Sequence, residues 1–371
     1  MTRPPVSVIV VSRGRGESLG LTLAGLSRLA YDPFEIVVVA DAEGQEAVRR
    51  ARLSDEVKVI PFADPNISEA RNRGLAQAAG EIVAFIDDDA VPEPTWLSFL
   101  TEPFADPQVA AAGGYVIGRN GISFQWTASS VDYTGEAAPL PVDDTRPTAL
   151  TPPPGRAIKT EGTNMAFRRS VIAGLGGFDP AYRFYLDETD LDMRLAKAGH
   201  VTAIAPLARV HHAFAPSPRR APSRAPRDLF EIGASLSVYL RRHCPEAERP
   251  AVIAAFRRRR EAGLIGHMVA GRLEPRDVLR LRRRLTEGLK AGATRAAAAA
   301  RAAQGASVSL FLFSPTALYH RVRFRREGFW EQRGGTWGRS DRTGKIVRLS
   351  TVRKRLLQEM SRIALQRGLG C

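Results

Sequence analysis

Short apolar segments alternate with helical ones over the first part of the chain, and this alternation restricts the fold most. Four runs rich in β-branched residues are separated by segments with helical patterning; the runs are Val6 to Val11, Phe34 to Ala40, Val57 to Pro61 and Ile82 to Ile86. Each run is mainly apolar and does not alternate strictly with polar residues, since Ser7, Glu35 and Lys58 are the only polar residues in them; this pattern is typical of strands buried on both faces of a sheet. We therefore predict an α/β fold with a mainly parallel sheet covered by helices.

Polar residues follow these strands. The first strand leads to Gly14, the second ends at Asp41, and the fourth is followed by Asp87, Asp88 and Asp89. In parallel sheets, ligands bind beyond the carboxyl ends of the strands. We expect a ligand site at this edge of the sheet.

The triplet Asp87-Asp88-Asp89 is the strongest candidate within that site. Three adjacent carboxylates repel one another, and a hard cation offsets the repulsion. Mn²⁺ and Mg²⁺ bind carboxylate oxygens and leave coordination positions for substrate phosphates. For the triplet alone, a solvated acidic turn is the simpler interpretation.

Two further residues are suited to binding a nucleotide. The Asp41 carboxylate can accept a hydrogen bond from a uracil or guanine ring N–H, and an Asx cap of the next helix is the alternative. Arg71, on the helix after Asn66, can reach a pyrophosphate or lie on a solvated face. Gly14-Arg15-Gly16 follows the first strand, and Asp41 ends the second. These residues mimic a dinucleotide-binding fingerprint, so a Rossmann fold remains an alternative fold.

A second acidic group, Asp187-Glu188, begins a helix predicted to run to Ala198. A carboxylate there can act as a general base on a hydroxyl, whereas the structural alternative is complementation of the helix dipole. His212 follows a predicted strand, and its imidazole can complete the site of a borderline cation such as Mn²⁺.

The charge distribution predicts the domain organisation. Residues 1–214 carry a net charge of −7 and residues 215–371 a net charge of +22. We predict a catalytic domain at 1–214, a Pro/Arg linker at 215–227 and a basic, mainly helical region at 228–371. The loop-rich stretch 118–158 is expected to pass over the active-site face. The basic region is expected to meet an anionic partner, for which an anionic membrane surface, an acidic glycan and nucleic acid are candidates.

The sequence indicates a cytoplasmic setting. No signal-peptide pattern precedes the first strand, and no apolar run reaches the roughly 18 residues of a membrane-spanning helix. The two cysteines form no metal or disulfide framework.

The motifs together resemble family-2 glycosyltransferases over residues 5–214. The matching segments are VSVIVVS, FEIVVVADA, ISEARNRGLAQAAGEIVAFIDDDAVPEPTWL, EGTNMAFRRSVIAGLGGFDPAYRFYLDETDLDMRLAKAGH and PLARVHH. The resemblance implies the GT-A fold and inverting transfer of a sugar from a UDP-, GDP- or dTDP-sugar, with Mn²⁺ or Mg²⁺. It implies as acceptor a glycan, a lipid-linked glycan or another precursor in cell-envelope polysaccharide biosynthesis.

The resemblance also implies roles for individual residues. For the nucleotide and donor sugar, these residues are Val11, Ser12, Asp41, Arg71, Asp87, Asp88, Gly162 and Asn164. Asp89 matches the metal ligand of the DXD element, with Asp87 and His212 beside it. Glu188 falls at the position of the catalytic base, but the family's common Glu-Asp order is inverted, so Asp187 remains an alternative.

No Gln-x-x-Arg-Trp motif of processive relatives is present, so the transfer of one sugar per encounter is expected. The basic region is expected to attach the protein to the inner face of the plasma membrane or to support an oligomer, with nucleic acid least favoured. The functional alternative is a non-catalytic nucleotide-binding protein with a basic nucleic-acid- or membrane-binding tail.

Overall fold

A computed structural model describes residues 3–53, 56–213, 217 and 219–303, and three strands within 308–335. Side chains are described up to residue 297. The chain divides into two compact units, Met1–Gly292 and Ala293–Cys371. The first unit therefore extends past the boundary predicted at residue 214.

The strands of the first unit are β1 (Val6–Ser12), β2 (Phe34–Ala40), β3 (Val57–Pro61), β4 (Ile82–Asp87), β5 (Ala90–Pro92), β6 (Val109–Ile117), β7 (Phe124–Trp126), β8 (Ser129–Asp132), β9 (Ala137–Pro139), β10 (Thr148–Leu150), β11 (Arg156–Lys159), β12 (Asn164–Arg168) and β13 (Val201–His212). The helices are α1 (Gly16–Leu26), α2 (Ala42–Arg50), α3 (Ile67–Gln77), α4 (Trp96–Thr101), α5 (Arg169–Gly174), α6 (Asp187–Lys197), α7 (Phe230–His243), α8 (Arg249–Val269) and α9 (Pro275–Ala303). A 3₁₀ turn at Glu102–Ala105 follows α4.

The main sheet is mixed but mostly parallel, as predicted. Its strand order is β10-β13-β6-β12-β4-β1-β2-β3, with β5 paired to β13 and β7 to β6. Strands β1 to β4 are mutually parallel, as are β6 and β13. Strand β12 lies antiparallel between β4 and β6. The chain thus has the mixed α/β architecture expected of a GT-A fold.

Both faces of this sheet are buried, which explains why its strands are mainly apolar and do not alternate strictly with polar residues. In β1, Val8 and Val10 belong to a core cluster on one face, whereas Ile9 belongs to a cluster on the other. Helix α3 approaches β1 closely at Gly74, where an added Cβ would lie 2.5 Å from Ile9 Cγ2. A side chain at position 74 would therefore push α3 off the sheet.

Residues 118–158, predicted to be loop-rich, contain β7 to β10 and the start of β11. Strands β11, β8 and β9 form a separate three-stranded sheet. These strands have three or four residues each and lie among prolines and glycines, so periodicity did not reveal them.

Strand β13 is one long strand where a pair was expected, 201–204 and 208–211. Its pairing with β6 shifts between Ala205 and Arg209. Pro206 lies inside the shift, and a proline cannot donate a ladder hydrogen bond. The strand therefore bulges there and continues to His212.

Three helices follow the predicted linker, in agreement with the helical patterning there. Ser235 of α7 donates a hydrogen bond to the Phe184 carbonyl at 2.7 Å, just before α6. Glycines bring α7 and α9 together: an added Cβ on Gly233 would lie 2.5 Å from the Leu285 carbonyl oxygen. Helix α7 thus supports the segment that leads into Asp187.

The second unit contains a three-stranded sheet. Its strands are β14 (Val308–Ser314), β15 (His320–Arg325) and β16 (Phe329–Gly335), in the order β14-β16-β15. The amphipathic helix suggested by the sequence at 351–366 lies outside the described residues. None of the helices described has both the length and the apolarity needed to cross a membrane.

Candidate active site

An open cleft of about 1160 Å³ lies at the carboxyl edge of the main sheet. It is lined by the end of β4, residues 125–129, residue 159, residues 161–163, residues 184–189, part of the predicted linker and α8. Seven of the predicted site residues line it: Arg71, Asp87, Asp89, Gly162, Asp187, Glu188 and His212. The tertiary fold thus brings both acidic groups to one cavity.

Asp87, Asp89 and His212 form a cluster that could hold a metal ion. Each offers one ligand atom, and these atoms lie within 4.8 Å of one another. Strand pairing creates the cluster, because β5 pairs antiparallel with β13 and places Ala90 opposite His212. Asp89 precedes Ala90, so its carboxylate lies 3.2 Å from His212 Nε2.

The orientation of the His212 ring suits a metal ligand. Its Nδ1 lies 2.9 Å from Gln125 Oε1, which can only accept, so Nδ1 carries the proton. In the neutral ring Nε2 then presents its lone pair towards the Asp89 carboxylate. Two acceptors facing each other are stabilised by a cation between them. Trp126 stacks on the ring, with centroids 5.8 Å apart.

Asp88 points away from this cluster. It accepts hydrogen bonds from Ser12 Oγ at 2.8 Å and from Arg15 Nη1 at 2.9 Å. Burial raises its pKa to about 6, against the attraction of Arg15. Asp88 and Asp89 are only 5% and 6% exposed, so the solvated acidic turn is wrong for both.

Arg71 lies between the two acidic groups. It forms an ion pair with Asp187, lies 3.6 Å from Asp87 Oδ1 and donates to the Gly162 carbonyl at 3.1 Å. It is 4% exposed, so the solvated-face alternative is wrong. An added Cβ on Gly162 would lie 2.6 Å from Arg71 Nη2, so glycine leaves the space that the guanidinium occupies.

Asp187 and Glu188 begin α6 but differ in their surroundings. Asp187 is 2% exposed, and burial raises its pKa to about 7 against the attraction of Arg71. Glu188 is half-buried, and its carboxylate accepts a hydrogen bond from Thr189 Oγ1 at 3.1 Å. Tyr185 and Leu186, just before them, have φ of 74° and 64°. This is a left-handed backbone conformation that residues other than glycine rarely adopt.

Lys159 and Glu161 add a charged pair to the same wall. Lys159 Nζ lies 2.5 Å from Glu161 Oε1. Burial raises the pKa of Glu161, and repulsion from Glu188 adds to the shift. Although burial opposes it, attraction from Glu161 and Glu188 raises the pKa of Lys159. The lysine therefore stays charged beside Glu188.

Asp41 caps α2, because its carboxylate accepts from the Gly44 and Gly14 amides at 3.1 and 2.9 Å. The cap explains why α2 begins at Ala42. In the loop after β1, Arg15 forms ion pairs with Asp88 and Asp89. A dinucleotide-binding fingerprint does not use its loop residues in this way.

Three predicted nucleotide residues, Val11, Ser12 and Asn164, are not among the residues that line the cleft. Val11 packs against a small apolar cluster that includes Val39. Asn164 is fully buried; it accepts from Trp96 Nε1 at 2.8 Å and donates to the Tyr115 and Ala208 carbonyls. These contacts connect Asn164 to β6, β13 and α4, so Asn164 belongs to the framework of the sheet.

Sequence reasoning missed several residues of the site. These are Arg15, Gln125, Trp126, Lys159 and Glu161. Arg15 lies in a recognisable loop, and its charge next to a predicted acidic edge was an available signal. Gln125 and Trp126 come from the 118–158 excursion, whose path depends on tertiary pairing with β6.

A family profile described as "Glycosyltransferase like family 2" matches residues 4–230. The chain is 31% identical over 182 residues to a glucosyl-dolichyl phosphate glucuronosyltransferase of Haloferax volcanii, a match that covers 47% of this chain and 56% of the relative. It is 32% identical over 148 residues to a pre-mycofactocin glycosyltransferase of Mycobacterium tuberculosis, covering 38% of this chain and 29% of the relative. The matches thus span little more than half of one relative and less than a third of the other.

Among solved structures, the chain is similar to the mannosyltransferase PcManGT from Pyrobaculum calidifontis in complex with GDP-Man and Mn²⁺. The TM-score is 0.49 at 20% identity, covering 80% of this chain and 87% of the other. The family profile matches more than half of the chain, over the part that carries the sheet, the acidic triplet and α6. The chain therefore belongs to glycosyltransferase family 2.

Proposed function

We propose that the protein is an inverting glycosyltransferase that transfers one sugar from a nucleotide-diphosphate sugar to a hydroxyl acceptor, with Mn²⁺ or Mg²⁺. The donor is a UDP-, GDP- or dTDP-sugar, and the acceptor is a glycan or lipid-linked glycan. One observation carries the proposal: Arg71 contacts both Asp87 of the metal cluster and Asp187, the neighbour of Glu188. The two carboxylate groups thus belong to one site.

Asp87, Asp89 and His212 would hold the cation. Two carboxylates and one imidazole suit Mn²⁺, and the carboxylates alone suit Mg²⁺. When bound, the ion offsets the charge that develops on the leaving diphosphate. Thr163 Oγ1 donates to Asp87 Oδ2 at 2.5 Å and holds that carboxylate in place.

Glu188 would act as the general base. It lines the cleft, is partly accessible and has no cation paired with it among the described residues. Its carboxylate removes the acceptor hydroxyl proton while the oxygen attacks the anomeric carbon from the face opposite the diphosphate. That geometry inverts the anomeric centre.

Asp187 would position the site. Its carboxylate holds Arg71 beside Asp87, and Arg71 is buried and ion-paired. The guanidinium faces the region where a donor phosphate would lie. Asp41 would contribute its remaining acceptor capacity to a nucleobase N–H.

The lipid-linked acceptor is supported by the relative from Haloferax volcanii, whose name specifies a dolichyl phosphate substrate. A peripheral position on the cytoplasmic face of a membrane would suit such an acceptor. The 34 Lys and Arg residues after residue 214, against 12 Asp and Glu, would favour an anionic surface.

The experiment is a screen of UDP-, GDP- and dTDP-sugars for Mn²⁺-dependent release of the nucleoside diphosphate. We expect one donor to be turned over, and Asp89→Asn to abolish turnover while the fold is retained. Glu246→Gln, on an exposed side chain, is the control variant. Full turnover by Asp89→Asn would refute the metal assignment, and no turnover of any donor by the wild type would refute the function.

A further inference from the structure

One wall of the cleft is formed by arginines from the predicted linker and from α8. Arg219 and Arg220 belong to the linker and Arg260 belongs to α8, and all three line the same cavity as Glu188. The linker is therefore part of the site wall. Neither the family motifs nor the proposed metal site makes use of these three residues.

The other described cations of the cleft include four with carboxylate partners: Arg15 pairs with Asp88 and Asp89, Arg71 with Asp187, Lys159 with Glu161, and Arg259 with Glu136. Within the described part of the chain, no ion pair joins Arg219, Arg220 or Arg260 to a carboxylate, although Glu231 and Asp228 attract Arg219, and Asp89 attracts Arg220, over a longer distance. The three arginines leave a local excess of positive charge. A divalent cation would already offset the donor diphosphate, so the excess is available to another anion.

Aromatic rings hold two of these guanidinium groups. Arg219 lies over Phe184, with its Cζ 4.4 Å from the ring centroid. Arg260 lies over Phe256 at 4.8 Å and over Tyr185 at 5.8 Å. Stacking fixes the plane of a guanidinium. Arg260 also makes a hydrogen bond with the Tyr185 side chain, so its remaining N–H groups are left for an anion.

Two of the rings on which Arg219 and Arg260 stack lie close in the chain to Glu188, the proposed base. Phe184 and Tyr185 directly precede the turn into α6, and Glu188 follows three residues after Tyr185. Arg260 thus lies on the base side of the cleft, where an acceptor hydroxyl must bind. Burial lowers the pKa of Arg220, and repulsion from Arg224, Arg15 and Arg260 lowers it further, whereas attraction from Asp89 opposes the shift.

We propose that the acceptor carries a phosphate group, which Arg219, Arg220 and Arg260 bind beside Glu188. This inference rests on the proposed function, because an acceptor exists only if the protein is a glycosyltransferase. Three guanidinium groups match a phosphate, which presents several oxygens and up to two negative charges. A carboxylate, with one charge, would be satisfied by a single arginine.

The test measures phosphate binding in the absence of donor and metal. Inorganic phosphate is titrated into the full chain in EDTA by calorimetry, and into Arg219→Gln, Arg260→Gln and the double variant. We expect about a tenfold weaker Kd for each substitution, as for loss of one charge-assisted hydrogen bond. Arg258→Gln, exposed on α8 and outside the cleft, is the matched control and should bind phosphate as the wild type does.

A second titration, of UDP and GDP with Mn²⁺, separates the acceptor side from the donor side. The inference predicts unchanged nucleotide affinity in the double variant. Wild-type phosphate affinity in the double variant would overturn the inference. An equal loss of Mn²⁺-nucleotide affinity would also overturn it, because the arginines would then belong to the donor diphosphate.

Sedimentation with phosphatidylcholine vesicles, with and without phosphatidic acid, distinguishes the source of the phosphate. Arginine-dependent binding to the phosphatidic acid vesicles assigns a lipid headgroup, whereas binding of inorganic phosphate alone assigns a soluble phosphorylated acceptor. The phosphate titrations contain no nucleotide sugar. They can therefore succeed even where the donor screen fails, and the two proposals are refuted separately.

Discussion

Glu188→Gln and Asp187→Asn should change different properties of the protein, although the two carboxylates are neighbours. The first should lower kcat, and the second should lower the free energy of unfolding. Glu188 is half-buried and hydrogen-bonded to Thr189. Its replacement by an amide of the same shape should change the free energy of unfolding by less than about 0.5 kcal/mol. Loss of the base should lower kcat by about 10²- to 10⁴-fold, which corresponds to roughly 3–5 kcal/mol of transition-state stabilisation.

Asp187→Asn removes the charged partner of a buried arginine. Breaking a buried ion pair costs about 3–5 kcal/mol. Arg71 keeps the Gly162 carbonyl at 3.1 Å and Asp87 at 3.6 Å, so we expect the lower end, about 3 kcal/mol. For a unit that spans Met1–Gly292 the melting temperature should fall by roughly 5 °C.

Thermal denaturation and steady-state release of nucleoside diphosphate, with the donor found in the screen, give both quantities on the same samples. Glu246→Gln controls for loss of a glutamate charge on the surface. If Asp187→Asn abolishes turnover at unchanged melting temperature while Glu188→Gln retains turnover, the base is Asp187. The assignment argued from burial would then be refuted.

Three further predictions concern the surroundings of the site. His243→Phe removes a donor 2.8 Å from buried Asp190 and should cost about 1–3 kcal/mol. Against burial, hydrogen bonding from His243 and attraction from Arg194 and Arg242 lower the pKa of Asp190 from 3.8 to about 2. The share of stability that comes from His243 is therefore present above pH 3.8 and is lost as the pH falls towards 2. Urea midpoints should therefore converge for wild type and variant at low pH, and a constant gap would contradict the pairing. Gly162→Ala should displace Arg71 and reduce kcat at least about tenfold, because the added Cβ meets its guanidinium, whereas Gly174→Ala, with open space around it, should not. Removal of divalent cations with EDTA should abolish turnover, and restored Mn²⁺ should both recover it and raise the melting temperature; a melting temperature insensitive to Mn²⁺ would count against the metal site.

The polar network around Asp190 illustrates a limit of sequence reasoning. Its carboxylate accepts from His243 and from Arg194, which lie on α7 and α6. Lys197 lies 3.0 Å from the other ring nitrogen of His243; the ammonium only donates, so Nε2–H donates to Asp190. The acidic run was visible in the sequence, but its partner lies 53 residues away. Packing of α7 on α6 decides that contact.

Local chemistry in the sequence determined the sheet and its functional edge. Mainly apolar runs such as Val6 to Val11 favour burial on both faces, and parallel strands place Asp41 and Asp87 at one edge. The family motifs then indicated candidate carboxylates, whose roles stay predictions. The prediction of the fold was confirmed because it depends on residues close together in the chain.

Tertiary structure alone decided how the site is assembled. The pairing of β5 with β13 places His212 beside Asp89, and packing of α3 against the start of α6 buries Arg71 with Asp187. The linker arginines line the cleft because residues 219–227 fold back over it. Contacts between residues far apart in sequence depend on the register and packing of whole elements, which no local pattern records.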